Sequence, residues 1–187
     1  MRIMVVSAIG RESSTCYILA QRIANICTGH GVEVDFATPT EVGLPVNDGN
    51  VAFDLPEVVA WQKRIERTHA HLWVSPEYHS AMTGGFKNLF DYLDKEPLRG
   101  DVVGLFALAG GGMAALNTLN GMSTMARSLG AWVAPQYCAL NSNDVKAGLD
   151  ERADRRVARL CETVIDAGQR LDAPGAEVGA DDDLPLE

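Results

Sequence analysis

Three short segments carry residues whose types and spacing suit ligand chemistry. The first is Ser7-Ala8-Ile9-Gly10-Arg11-Glu12-Ser13-Ser14-Thr15, which lies between an apolar run and a segment of helical spacing. A strand that turns through such a loop into a helix offers free backbone N–H groups and the positive end of the helix dipole, and both favour an anion. Arg11 can make charge-assisted bonds to a phosphate, and Ser13, Ser14 and Thr15 add hydroxyl donors. One of those hydroxyls can equally be the helix N-cap, but capping needs only one of the three. The nucleotide-hydrolase pattern G-x-x-x-x-G-K-[ST] is absent, as is the dinucleotide pattern G-x-G-x-x-G.

The second segment, Ser75-Pro76-Glu77-Tyr78-His79-Ser80-Ala81-Met82-Thr83-Gly84-Gly85, has a rigid proline start, an aromatic residue and a glycine-rich approach to the next helix. Its backbone N–H groups can meet ring nitrogens and carbonyls of a planar cofactor. Tyr78 also reads as an ordinary loop aromatic, and His79 as a solvated loop histidine. The third segment, Ala109-Gly110-Gly111-Gly112-Met113, removes side chains at a helix entry, so that a ligand can approach the backbone; a strained strand-to-helix corner is the alternative. No Ser-His-Asp arrangement, carboxylate pair or Cys–His couple is evident, so no residue is assigned as a proton-transfer catalyst.

The elements that must position these segments follow from hydrophobic patterning. Arg2–Ser7, Val32–Ala37, His71–Ser75, Asp101–Ala109 and Ala131–Ala134 read as five strands. Helical spacing falls between them: a stripe of Cys16, Leu19, Ala20, Ile23, Ile26 and Cys27 stopped by Gly29 to Gly31, then Leu55–Thr68, Phe86–Lys95 and Met113–Leu129. A final amphipathic helix carries Leu149, Ala153, Val157, Leu160 and Val164, with Gly168 as its expected end. Such alternation predicts right-handed βαβ units in a doubly wound α/β fold, a five-stranded parallel sheet of order 2-1-3-4-5 with helices on both faces. In that order a ligand binds outside the carboxyl ends of strands one and three, where all three segments fall. Pro39–Asp54 reads as a surface excursion.

Charge and composition narrow the class. The formal net charge is −9, but six of the 25 acids lie in the last sixteen residues, leaving residues 1–171 at −3. We expect one domain over 1–171 and an acidic disordered tail over 172–187. An acidic chain does not suit nonspecific nucleic-acid binding. Cys16, Cys27, Cys138 and Cys161 form no C-x-x-C pair, so reduced, mostly buried thiols are expected, with neither a disulfide framework nor a metal site. No run approaches the roughly eighteen apolar residues of a membrane span, and no signal-peptide pattern precedes the first strand, so a cytoplasmic location is expected.

At these positions the chain resembles the NADPH-dependent FMN reductases of flavodoxin-like fold, over roughly residues 1–140. Pro76-Glu77-Tyr78-His79 is similar to that family's P-E-Y-N loop, with Gly84-Gly85-Phe86-Lys87-Asn88-Leu89-Phe90-Asp91-Tyr92-Leu93 following in like manner. Arg11 through Thr15 is similar to its phosphate loop, and Ala107–Gly130 to its glycine-rich strand-to-helix segment. The resemblance implies that Arg11, Ser13, Ser14 and Thr15 hold the FMN phosphate, that Pro76, Glu77, Tyr78 and His79 line the isoalloxazine ring, and that Gly110, Gly111 and Gly112 approach its other edge. It implies NADPH or NADH as co-substrate and a small acceptor such as free flavin, a quinone, an azo compound or a metal oxyanion, in a homodimer or homotetramer. Two departures stand out: His79 replaces the usual Asn, and Ala8-Ile9-Gly10 replaces a Gly-Ser opening. The rival within this fold is a flavodoxin-type one-electron carrier. A phosphorylation-dependent receiver domain would need carboxylates where this chain has Ser7 and Ser75.

Overall fold

The computed structural model describes residues 1–50, 53–93, 97–110 and 115–171. In chain order the elements are β1 (Arg2–Ser7), α1 (Thr15–Gly29), β2 (Glu33–Ala37), α2 (Pro39–Val42), α3 (Pro56–Glu66), β3 (Ala70–Pro76), α4 (Gly84–Phe90), β4 (Val102–Ala109), α5 (Leu116–Ser128), β5 (Trp132–Asn141), α6 (Ser142–Ala147) and α7 (Glu151–Leu171). The sheet is parallel throughout, in the expected order β2-β1-β3-β4-β5.

Burial explains why the central strands read as continuous apolar runs. Ile3 to Val6, Ala70 to Val74 and Val102 to Leu108 are all buried, because helices cover both faces of the sheet. On one face α1 packs against α7 over β1, β3, β4 and β5. On the other, Trp73 of β3 meets Phe86 and Phe90 of α4, and Trp61 of α3 meets Phe90 edge-on. The Trp61 indole N–H donates to the Leu89 carbonyl at 2.7 Å, whereas the buried Trp73 indole N–H has no partner among the described residues.

Several expectations needed correction. Strand β5 runs on to Asn141, well past Ala134: Pro135 and Gln136 look like a break, but β5 is an edge strand, where a proline costs no ladder bond. The shift of register between Val103 and Leu105 absorbs the extra residues. Asn141 then caps the short helix α6 by accepting the Asn143 N–H, an element the hydrophobic pattern did not announce. Gly168 does not end α7, which continues to Leu171. It is a buried contact point, since a Cβ there would lie 2.8 Å from Met1 Sδ and 3.0 Å from Ala70 Cβ.

Up to Asn50 the Pro39–Asp54 stretch lies at the surface, as expected, and is tied down as a strap. Its first residues form α2, capped by Thr38 Oγ1 on the Glu41 N–H, and Arg64 of α3 binds Asp35, Glu41 and the Phe36 carbonyl beside it. Further along, Asn88 of α4 donates to the Pro45 carbonyl at 2.7 Å and accepts the Asn47 N–H at 2.9 Å, while Tyr92 Oη donates to Pro45 as well. The strap thereby holds α4, and with it the loop that α4 follows. Helix α4 ends at Phe90, short of the expected Lys95; Lys95, Met113 and the 172–187 tail lie outside the described residues.

Candidate functional site

Strands β1, β3 and β4 end side by side at Ser7, Pro76 and Ala109, and the strand order reverses between β1 and β3. The first two ligand-suited segments and the start of the third, Gly110, therefore lie on one edge, and the first two are held there by different sets of bonds.

The segment after β1 is built around α1's first turn. Ser14 is the N-cap, in extended backbone, with Oγ accepting the Tyr17 N–H at 3.1 Å while its carbonyl accepts the Ile18 N–H. Its own N–H closes a turn onto the Arg11 carbonyl at 2.9 Å. Helix geometry leaves the N–H groups of Thr15 and Cys16 without intrahelical partners, and no acid occupies the first turn. Arg11 and Ser13 are exposed beside them, and Thr15 is half-buried. Of the four residues expected to hold a phosphate, Ser14 also caps the helix, as an acceptor that keeps its hydroxyl proton to donate, beside Arg11, Ser13 and Thr15.

Buried hydroxyls and a thiol brace this loop from below. Ser7 Oγ donates to the Ile9 carbonyl at 2.8 Å, Cys16 Sγ donates to the Val74 carbonyl at 3.3 Å, and the Ala8 N–H reaches the same carbonyl at 2.8 Å. Burial pushes the Cys16 thiol up from its ordinary value, so it stays a protonated donor and not a nucleophile. All four cysteines are buried and free. Gly10 is where the loop touches the strap: a Cβ there would sit 2.6 Å from Thr40 Oγ1, so this position excludes a side chain.

The segment after β3 is a miniature hairpin. Tyr78 and Ala81 exchange backbone bonds, N–H to O at 2.9 and 3.1 Å, across His79 and Ser80. These two residues have φ of +50° and +63°, the pattern of a type I′ turn, which favours Asn and Gly. The departure at residue 79 thus bears on backbone strain as well as on hydrogen bonding, since Asn tolerates the left-handed region better than His. Tyr78, His79 and Ser80 are exposed, and the N–H groups of His79 and Ser80 have no hydrogen-bond partner among the described residues. Thr83 caps α4 through Oγ1, donates its N–H to Ser75 Oγ at 3.3 Å and ties back to the Ala8 carbonyl, so the first two segments share a support.

Of the third segment, Gly110 is described; Gly111 and Gly112 lie outside the described residues. Gly110 is exposed, and a Cβ on it would meet nothing within 4 Å among the described residues. Glu77 accepts the Thr118 N–H on Oε2 at 3.0 Å, turning its carboxylate to α5. Sequence reasoning missed the supporting residues Ser7, Ser75 and Thr83. Their signal is a small hydroxyl residue closing an apolar strand, or opening a helix, directly beside a candidate ligand loop.

The donor set suits one kind of ligand. An anion fits Arg11 and the free N–H groups of α1, while the unpaired N–H groups of His79 and Ser80 and the open space at Gly110 fit a planar ring rich in acceptors. These features define a flavodoxin-like α/β protein with an open helix end beside a hairpin of unpaired N–H donors. The family model of the NADPH-dependent FMN reductases matches residues 1–145, and the chain belongs to that family. It is thus an NAD(P)H-dependent flavin oxidoreductase that uses FMN. It is 29% identical over 177 residues to the NADPH-dependent FMN reductase ArsH of Acidithiobacillus ferrooxidans, covering 91% of this chain and 71% of that one. It is 28% identical over 149 residues to an NADPH azoreductase of Bacillus sp., covering 79% and 81%. Among solved structures it shares the fold of the NADH:FMN oxidoreductase EMOB in its apo form, with a TM-score of 0.75 and 16% identity over 94% of this chain and 92% of the other. No helix among the described residues is long and apolar enough to cross a membrane.

Proposed function

We propose that the chain binds FMN across the β1/β3 crevice and passes electrons from NADPH or NADH to a small acceptor, such as free flavin, a quinone, an azo compound or a metal oxyanion. The observation that carries this reading is the pairing on one edge of an anion-ready helix end with a hairpin of unpaired N–H donors. Arg11, Ser13 and Thr15 would take the phosphate, and Pro76, Tyr78, His79 and Gly110 would border the ring. FMN supplies the hydride-accepting ring when bound.

The chain's own part is to bind and orient. The rigid Pro76 start, the strap behind α4 and the shared Thr83 support hold the ring-side hairpin in place without ligand. The exposed Tyr78 offers a flat aromatic surface for a planar acceptor. A homodimer or homotetramer, a folded domain over 1–171 and a cytoplasmic location, which suits four free thiols, complete the proposal.

The test is an absorbance spectrum after loading with FMN and desalting, followed by anaerobic NADPH and then NADH. Retained flavin that bleaches with nicotinamide is expected. Retained flavin that does not bleach would instead mark a one-electron carrier, and failure to retain or titrate FMN would overturn the reading.

A further inference from the structure

Glu77 makes two bonds that belong to different parts of the chain. Its backbone N–H donates to the Leu108 carbonyl, near the end of β4, at 2.7 Å. Its carboxylate accepts the N–H of Thr118, in the first turn of α5, at 3.0 Å. One residue of the β3–α4 loop thus grips both the strand that leads into the glycine-rich segment and the helix that leads out of it.

Helix α5 needs this grip. The residue before its first turn, Ala115, has φ of +41° and no side-chain acceptor, so α5 has no local side-chain cap among the described residues. Thr118 is fully buried, and its N–H would be an orphaned donor without Glu77. A carboxylate at a helix N-terminus also neutralises the positive end of the dipole. Met82, from the same loop as Glu77, lies against Gly121 of α5, so the two elements pack as well as bond.

We propose that Glu77 is a positioning residue: it caps α5 from the β3–α4 loop and so holds Leu108 and Thr118 in fixed relation to the ring-side hairpin. This rests on the FMN reading for its functional consequence, but the cap itself does not. On this proposal its carboxylate acts through the chain, where Oε2 is engaged, in place of the ring-lining role that the family resemblance implies for residue 77.

The test compares Glu77→Ala and Glu77→Gln in the full-length chain. Without FMN, amide hydrogen exchange at Thr118 should quicken about tenfold or more in Glu77→Ala and stay within about threefold of the parent in Glu77→Gln, whose amide oxygen still accepts the N–H. With ligand, Glu77→Ala should weaken FMN and riboflavin equally, by about tenfold, and Glu77→Gln should rescue both to within about threefold. The thermal midpoint of each apo-protein is measured alongside, because a general loss of stability would lower it in step with binding. Unchanged Thr118 exchange in Glu77→Ala would overturn the proposal. So would a Glu77→Gln protein that protects Thr118 yet binds flavin as poorly as Glu77→Ala, because the charge would then act on the ligand. If the parent itself fails to bind FMN, the functional reading falls while the exchange data still decide the cap.

Discussion

Two helix N-termini, those of α1 and α5, open onto the same sheet edge and are treated in opposite ways. That of α1 is capped locally by a neutral hydroxyl, Ser14, and keeps the N–H groups of Thr15 and Cys16 free, with Arg11 alongside. That of α5 has no local side-chain cap among the described residues and is closed by a carboxylate from another loop, Glu77. A positive helix end attracts whatever anion is available. The chain supplies its own anion at α5 and places none in the first turn of α1. The difference supports α1 as the end that takes the phosphate.

The comparison can be broken most sharply by reversing the charge at α1. Arg11→Glu should weaken FMN by about 100-fold while leaving riboflavin, which lacks the phosphate, nearly unaffected, because a charge-assisted bond is worth about 1.5–3 kcal/mol and the new carboxylate adds repulsion. Fluorescence titration of the apo-protein with each flavin checks this. Equal losses for the two would place the phosphate elsewhere.

Ser14→Asp converts α1 into a copy of α5's situation. The new carboxylate still caps the Tyr17 N–H, so the thermal midpoint should hold or rise slightly, yet FMN should weaken by about 30-fold, or about 2 kcal/mol, because the helix end is already neutralised. Tight FMN binding in this variant would mean that the dipole of α1 is not what selects the phosphate.

Gly10→Ala tests the steric half of the α1 arrangement. Its Cβ would press on Thr40, at an overpacking cost of about 1–3 kcal/mol. For a chain of this size that lowers the thermal midpoint by a few degrees, about 2–4 °C for each kcal/mol. Adding Thr40→Gly should recover most of the loss, whereas exchange at Thr118 should not change in either protein.

The smallest effect concerns the hairpin between the two helix ends. His79→Asn with Ser80→Gly places the residues that a type I′ turn prefers at the two positive-φ positions and should stabilise the chain by about 1 kcal/mol, raising the midpoint by about 2–4 °C. Calorimetry of the apo-protein checks it. No gain would show that the two left-handed residues carry little strain.

Much of the fold was legible because its signals are local. Cys16, Leu19, Ala20, Ile23 and Cys27 recur at helical spacing, and all of them are buried in α1. The full burial of Ile3–Val6 and Leu72–Val74 matches apolar runs that no alternation interrupts. The misreadings share a cause: a local signal was overruled by a distant partner. The strand expected over Ala131–Ala134 runs on past Pro135 because β5 is an edge, and Gly168, expected to end the last helix, lies against Met1 and Ala70. The polar Pro39–Asp54 stretch gave no hint that Asn88 and Arg64 would pin it.

Residue order alone dictates that three ligand-suited segments follow three strands, and that these strands lie where a parallel sheet gathers its loops. Periodicity and turn chemistry act over a few residues, and each segment contained its own signal. Which helix end stays open is settled in three dimensions. Glu77 and Thr118 are 41 residues apart, and they meet because β3 and β4 pair in register from Ala70 with Val102 to Pro76 with Leu108. That pairing depends on the packing of the whole sheet, and no property of either residue's neighbours in sequence contains it.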